Sequence, residues 1–327
     1  MSGGRLGGAL IWGMVAVVAW PGGSSRAASS PLAARVEAEL RLDDALSRGD
    51  RLALERMAAE EALPGEVRGR ALWALWCGPG AESAAAGRAR LSPALGDPAP
   101  EVRRAAARAV ARRGERALER SVLRLAAEDP DPEVRREALR AVRPWSRQGH
   151  LYFLEQALAS PWPTVQAEAL GNLARLPRGE LPPAVGRTVR ELAVAGDPRA
   201  RFRAFDALEA WGWLEWGPVR AALLDRGAPD PLRLRALEAG EALADPEEWR
   251  RVLLDLLAAE SSRLVAGQAF RRLRQAGPAD PDLPGTVARR LSHASQKDAA
   301  TEAMAAYLRD RGYRVAYRAG AWAVSPP

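Results

Sequence analysis

One spacing constrains this chain more than any other feature. Two blocks, DPAPEVRRAAARAV from Asp97 and DPDPEVRREALRAV from Asp129, stand 32 residues apart. Looser copies begin at Ser160 (SPWPTVQAEALGNL), Asp197 (DPRARFRAFDAL) and Asp230 (DPLRLRALEAGEAL). Self-similarity at a period of about 20–50 residues marks a stacked-repeat architecture. Aligned on the apolar residue that opens each helix, the first column reads Val67, Val102, Val134, Val165, Ala200, Leu232, Val265 and Ala299. Four residues on, the column is alanine throughout: Ala71, Ala106, Ala138, Ala169, Ala204, Ala236, Ala269 and Ala303. Two more columns, starting at Leu72 and Leu75, keep the same phase.

Offsets 0, 4, 5 and 8 fall on one face of an α-helix. The alanine column marks the closest approach of a neighbouring helix. A larger side chain there would hold the axes beyond the usual ~8–10 Å. Helix starts are written as Asp131-Pro132-Glu133, with Asp to cap, Pro for the first position and Glu for the helix dipole. Asp197-Pro198 and Asp230-Pro231 repeat the device. A second apolar-periodic stretch follows each helix, as at 116–128, 149–160, 181–196 and 246–260, across turns rich in Gly, Pro and Asp. The unit is therefore two antiparallel helices. One pair cannot bury its apolar face alone, whereas stacked pairs can. The predicted fold is all-α, an α-solenoid of about eight antiparallel helix pairs, with residues 31–327 as one domain. The expected concave surface is lined by the second helices.

Both ends depart from the columns. Residues 28–63 read as an atypical helical cap and 64–311 as the repeat array. Gly312 should stop the last helix, and 312–327 forms a tail or a hairpin: Tyr313 to Tyr317 alternates, and Arg318-Ala319-Gly320 can turn into Ala321-Trp322-Ala323-Val324. Ahead of these, Arg5, the uncharged stretch Leu6–Trp20, the breaker Pro21-Gly22-Gly23 and the small residues of Ser25-Arg26-Ala27 make the three-part pattern of a secretory signal peptide, 1–27. The expected location is periplasmic or extracellular, with an uncleaved N-terminal anchor as the alternative. Past residue 30 no segment is apolar and long enough to span a membrane. The chain has 48 basic and 41 acidic residues; removing Arg5 and Arg26 leaves 46 − 41 = +5, mild for about 300 residues.

The block D-P-x-P-E-V-R-x-x-A-L-x-A-V resembles the HEAT-like repeat named after phycobilisome lyases. The resemblance is strong over 97–143 and extends across 64–311, about three quarters of the chain. It implies an interaction scaffold most often. A minority of the family are enzymes, among them chromophore lyases and a DNA-glycosylase branch.

The residues themselves offer little for catalysis. Cys77 is the only cysteine and, at an apolar helix end, reads as an inert thiol. His150 and His293 lack zinc-ligand spacing, and no nucleophile triad or phosphate-cradling loop is present. The acidic turns lack the glycine and terminal Glu of a calcium loop and read as helix caps. No cofactor or metal is expected. An arginine follows the first column at Arg68, Arg103, Arg135, Arg201 and Arg233, broken by Gln166, Ala266 and Ala300. These five are either a basic stripe for phosphates or a structural ladder to the acids and carbonyls of the recurring turns near Asp97, Asp129, Asp131, Asp197 and Asp230. The ladder is favoured, because the acids recur in step. Trp211, Trp213 and Trp216 cluster at an inter-helix corner, where gap filling among the many alanines competes with an exposed partner anchor beside Arg220 and Arg203.

The sequence thus points to an exported, non-enzymatic scaffold that binds a protein or extended peptide. Nucleic-acid binding is the first alternative and a lyase-type chromophore enzyme the second. Where the repeated arginines lie separates the first two readings.

Overall fold

The computed structural model describes residues 30–78, 84–143, 148–259, 262–275 and 281–327. The proposed signal segment lies outside these. Seventeen α-helices and one two-stranded sheet make up the described fold, an all-α solenoid closed by a small C-terminal hairpin. It opens on α1 (Pro31–Arg48) and α2 (Arg51–Ala59). Seven pairs follow. Their first helices are α3 (Gly65–Cys77), α5 (Pro100–Arg113), α7 (Pro132–Val142), α9 (Pro163–Leu173), α11 (Pro198–Ala210), α13 (Asp230–Leu243) and α15 (Arg263–Gln275). Their second helices are α4 (Ala84–Ala94), α6 (Glu119–Glu128), α8 (Leu151–Leu158), α10 (Pro183–Ala195), α12 (Trp216–Leu224), α14 (Pro246–Ala259) and α16 (Leu283–Ser292). α17 (Ala299–Arg309) is an eighth first helix whose partner is the hairpin β1 (Arg314–Arg318) and β2 (Ala321–Ser325).

Each first helix packs on the next, and one apolar cluster runs from Ala38 to Trp322. Seven of the column alanines, Ala71 to Ala269, are wholly buried. Ala303 is not; it is half-buried and lines a groove between α15 and α17. The starts follow local chemistry. Asp131 accepts from the Glu133 and Val134 amides at 2.9 Å, with Pro132 in the first turn. Asp197 accepts from the Arg199 amide. Asp230 differs: α13 already includes it, and its carboxylate takes the Ser262 hydroxyl at 2.8 Å instead of capping.

At the C-terminus, Ala319 and Gly320 both have positive φ, 50° and 81°. That is the two-residue turn whose twist suits a tight hairpin. The register pairs Tyr317 with Trp322, and Trp322 is buried with its indole N–H donating to the Gln296 carbonyl. The N-terminal end is plainer. α1 buries Ala38, Leu42 and Ala45 and leaves Leu32, Val36 and Leu40 exposed. Among the described residues no helix is long and apolar enough to cross a membrane.

Candidate functional site

The repeated arginines lie inside the fold. Arg68 grips Asp97 with two nitrogens and reaches the Ala58 carbonyl at the end of α2. Arg103 is bidentate to Asp129, at 2.7 and 2.8 Å, and also donates to the Asp97 and Pro98 carbonyls. Arg135 donates to the Ala126 carbonyl near the end of α6, and Arg233 donates twice to the Leu223 carbonyl near the end of α12. Arg201 holds Asp225, the residue that ends α12. The partners share one origin. The last turn of a helix leaves carbonyls without intrahelical donors and a partial negative charge. An arginine from a first helix supplies donors to the ends of the adjoining second helices. The acids chosen are Asp97, Asp129 and Asp225; Asp131 and Asp197 are occupied as caps, and Asp230 by Ser262.

Charge follows that geometry. The hydrogen bonds that Arg103 donates to Asp129 raise its pKa, against the cost of burial. Arg135, with no carboxylate within ion-pair distance among the described residues, is pushed down by burial; the face of Trp162, 5.4 Å away, receives its guanidinium. Arg201 holds the Asp225 carboxyl below the usual carboxylate range, helped by the Gly227 amide.

A second, outer set of ion pairs escaped the sequence reading. Arg108 meets Glu137 and Arg140 meets Glu168, each joining one first helix to the next. Farther on the signs exchange: Asp206 of α11 takes Arg235 of α13. In all three pairs the sixth residue after the column start meets the third residue after the next start. The signal was present as complementary charge at that offset. It was hidden because the sign reverses between α9 and α11. The buried pair of His150 and Glu119, between α8 and α6, also had no sequence motif.

The tryptophans do not form one exposed patch, which corrects the anchor reading for Trp211. Trp211 is 3% exposed and its indole N–H donates to the Leu176 carbonyl of the preceding repeat. The guanidiniums of Arg178 and Arg190 lie over the Trp213 ring, 5.3 and 5.5 Å from its centre. Trp216 stands edge-on to Trp249 at 5.9 Å. Arg203 and Arg220 are taken by Asp206 and Glu248, so neither cation stacks on the cluster. Glycines make the sockets. A Cβ on Gly186 would lie 2.9 Å from Trp213, and one on Gly240 would lie 2.5 Å from Trp249. Cys77 is half-buried, and burial pushes its thiol up against the lowering pull of Arg113, Arg112 and Arg108.

Three grooves lie over first helices, and a smaller one, about 250 Å³, lies between α15, the end of α16 and α17. Grooves of about 360 and 460 Å³ lie over α3 and α5 and over α7 to α13. The largest of the three, about 1010 Å³, lies over α13, α15 and α17. The helical residues that line these three belong to first helices, apart from Leu46 of α1 in the smallest. The largest opens where the arginine ladder stops, at Ala266 and Ala300. Its floor is Gly267, Ala299, Ala300 and Ala303, and Leu264 stands exposed on its rim. Among the described residues, no group of three or more His, Cys, Asp or Glu is gathered to hold a metal.

These repeats have a known counterpart. Residues 57–143 and 88–174 match the family model for HEAT repeats. The matched stretch, a little over a third of the chain, contains the two closest blocks and the first three ladder arginines. The HEAT-repeat match does not separate out the phycobilisome-lyase type. No curated protein matches the chain. Among solved structures, an engineered protein from the Northeast Structural Genomics Consortium is 20% identical over 68% of this chain and 96% of its own, with a TM-score of 0.36. A likeness that distant carries no argument about function.

Proposed function

We propose that the protein is an exported, non-enzymatic interaction scaffold, with HEAT-like repeats of the phycobilisome-lyase type, that holds a partner protein or extended peptide along its first-helix face. One observation carries the reading: the open groove over α13, α15 and α17, floored by small residues and left with exposed Leu264. A groove of this size takes several side chains of a bound segment, and an apolar floor with a few polar groups is the usual build of such a site. The buried ladder supports the same reading. Arginines bonded to helix ends are not available to phosphates, so the period-matched stripe that would have favoured nucleic acid is spent inside the fold. HEAT repeats generally serve as protein-interaction surfaces, which agrees. Export rests on the Leu6–Trp20 pattern and the small residues before Ala27.

Site-specific photocrosslinking in the producing cell tests the binding face. A benzophenone side chain at Leu264 or Gln268, inside the groove, should capture one discrete partner. The same group at Arg120 or Arg124, on α6, should not. Equal capture from both faces, or from α6 alone, refutes the reading. Mass spectrometry of the purified N-terminus tests export: a new terminus near residue 28 is expected, and an intact cytosolic chain refutes it.

A further inference from the structure

The charges around the largest groove are unevenly committed. The two acids that line it are both occupied. Asp230 accepts the Ser262 hydroxyl at 2.8 Å. Asp298 caps α17 in a reciprocal capping box with Thr301, and Arg263 adds a third contact. Burial alone would raise the Asp298 carboxyl; the Thr301 amide and hydroxyl, with Arg263, outweigh it and hold it below the usual range. The cations are differently placed. Arg271 is exposed and makes no ion pair among the described residues. Its neighbour Arg272 turns away to Glu241 on α13. Arg274 is also exposed, and its guanidinium lies 6.0 Å from the centre of the Tyr307 ring. Arg271 and Arg274 stand three residues apart, on one side of α15. Phe270, beside them, is buried and leaves the rim to the two cations.

We infer that the groove takes an acidic segment with bulky aliphatic or aromatic side chains, its carboxylates meeting Arg271 and Arg274 and its apolar groups covering Leu264 and the alanine floor. The inference rests on the scaffold reading and adds the partner's chemistry. A basic segment would find no free carboxylate on this rim, since Asp230 and Asp298 are already bonded. A neutral segment would leave two exposed guanidiniums unused. Arginine suits the role because its planar fork binds a carboxylate through two parallel hydrogen bonds. A nucleic-acid strand is the competing polyanion. It is disfavoured because the floor is aliphatic and small, with no exposed ring for base stacking among the groove's lining residues.

The test is selection from a random 12-residue peptide library displayed on phage, against the full chain and against the full chain carrying R271E and R274E. Far-ultraviolet circular dichroism and a thermal melt confirm that the variant folds; both side chains are exposed, so its melt should match the parent. The parent should enrich peptides with two or more Asp or Glu beside Leu, Ile or Phe. The variant should lose those peptides by at least tenfold and enrich Lys or Arg in their place. A 12-nucleotide single-stranded DNA, followed by fluorescence anisotropy, should bind the parent at least tenfold more weakly than the best selected peptide. Groove-dependent enrichment of neutral or basic peptides would overturn the acidic assignment and leave the scaffold reading standing. Enrichment unaffected by either the double variant or a Leu264→Asp change would overturn both. Tighter binding of the DNA would replace the peptide with a nucleic acid.

Discussion

Replacing Gly240 by alanine puts two helix effects in opposition. In an open helix position the change is favourable, because alanine loses less backbone entropy on folding; the gain is about 0.8–1 kcal/mol. At Gly240 the new methyl would lie 2.5 and 2.8 Å from two ring atoms of Trp249 and 3.1 Å from Trp216. Ordinary carbon contacts are about 3.5–4.0 Å, so the rings must retreat by roughly 1 Å. They have little room, since Trp249 is buried and Trp216 is locked edge-on against it. Overpacking a closed site costs about 1–3 kcal/mol, and the rigid rings place this case at the upper end. The net expectation is a loss of about 2 kcal/mol. Gly217, on α12 with nothing within 4 Å of its added Cβ, is the control and should gain up to about 1 kcal/mol. Urea denaturation followed by tryptophan fluorescence reads both as a shift in midpoint at unchanged slope. If Gly240→Ala is as stabilising as Gly217→Ala, the indoles do not occupy that socket and the packing described for the tryptophan cluster is wrong.

Two further sets of outcomes follow from packing and charge. Ala138→Leu should cost about 1–3 kcal/mol by prying α7 from its neighbours, because Ala138 is wholly buried. Ala303→Leu should leave the melt nearly unchanged while filling the groove and weakening partner capture; a severe loss of stability there would mean the groove is closed in solution. Asp225 gives a pH signature. Its folded pKa is depressed, so its contribution is present above the unfolded aspartate value, about 3.9, and is lost as pH falls through the lower folded value. Asp225→Asn should therefore flatten the fall in stability below about pH 4; an unchanged acid limb would show that Arg201 does not hold that carboxylate.

Much of this architecture can be read from the chain because repetition multiplies weak signals. A single alanine says nothing, but eight in phase identify a contact face, and the structure buries seven of them completely. The eighth, Ala303, departs because the column reports a face and not the distance to its neighbour; α17 stands off from α15 and the groove forms there. The arginine column is readable as a ladder because acids recur beside it. The choice of Asp225 over Asp197 or Asp230 is not, since each turn offers several carboxylates and only geometry decides which one caps. Glycine at position 240 breaks an apolar column, and the ring that fills the vacancy comes from Trp249 on the following helix, a pairing no local window contains. The three larger grooves lie over first helices, and a smaller one lies beside the end of α16; the columns announce none of them. Periodicity gives the buried face of each helix, whereas curvature depends on how far successive pairs splay.

The central claim, that the arginine ladder is structural, is tested most directly by a double-mutant cycle on Arg103 and Asp129, measured together with polyanion binding. The pair is bidentate and nearly closed to solvent, with side-chain exposures of 11% and 2%. Removing Arg103 alone leaves a buried carboxylate unpaired, which costs about 3–5 kcal/mol. A structural ladder predicts a loss of that order for Arg103→Ala, a smaller further loss when Asp129→Ala is added than Asp129→Ala causes alone, and no change in the weak binding of heparin or DNA. An Arg103→Ala protein that melts like the parent but binds polyanions far more weakly would contradict it.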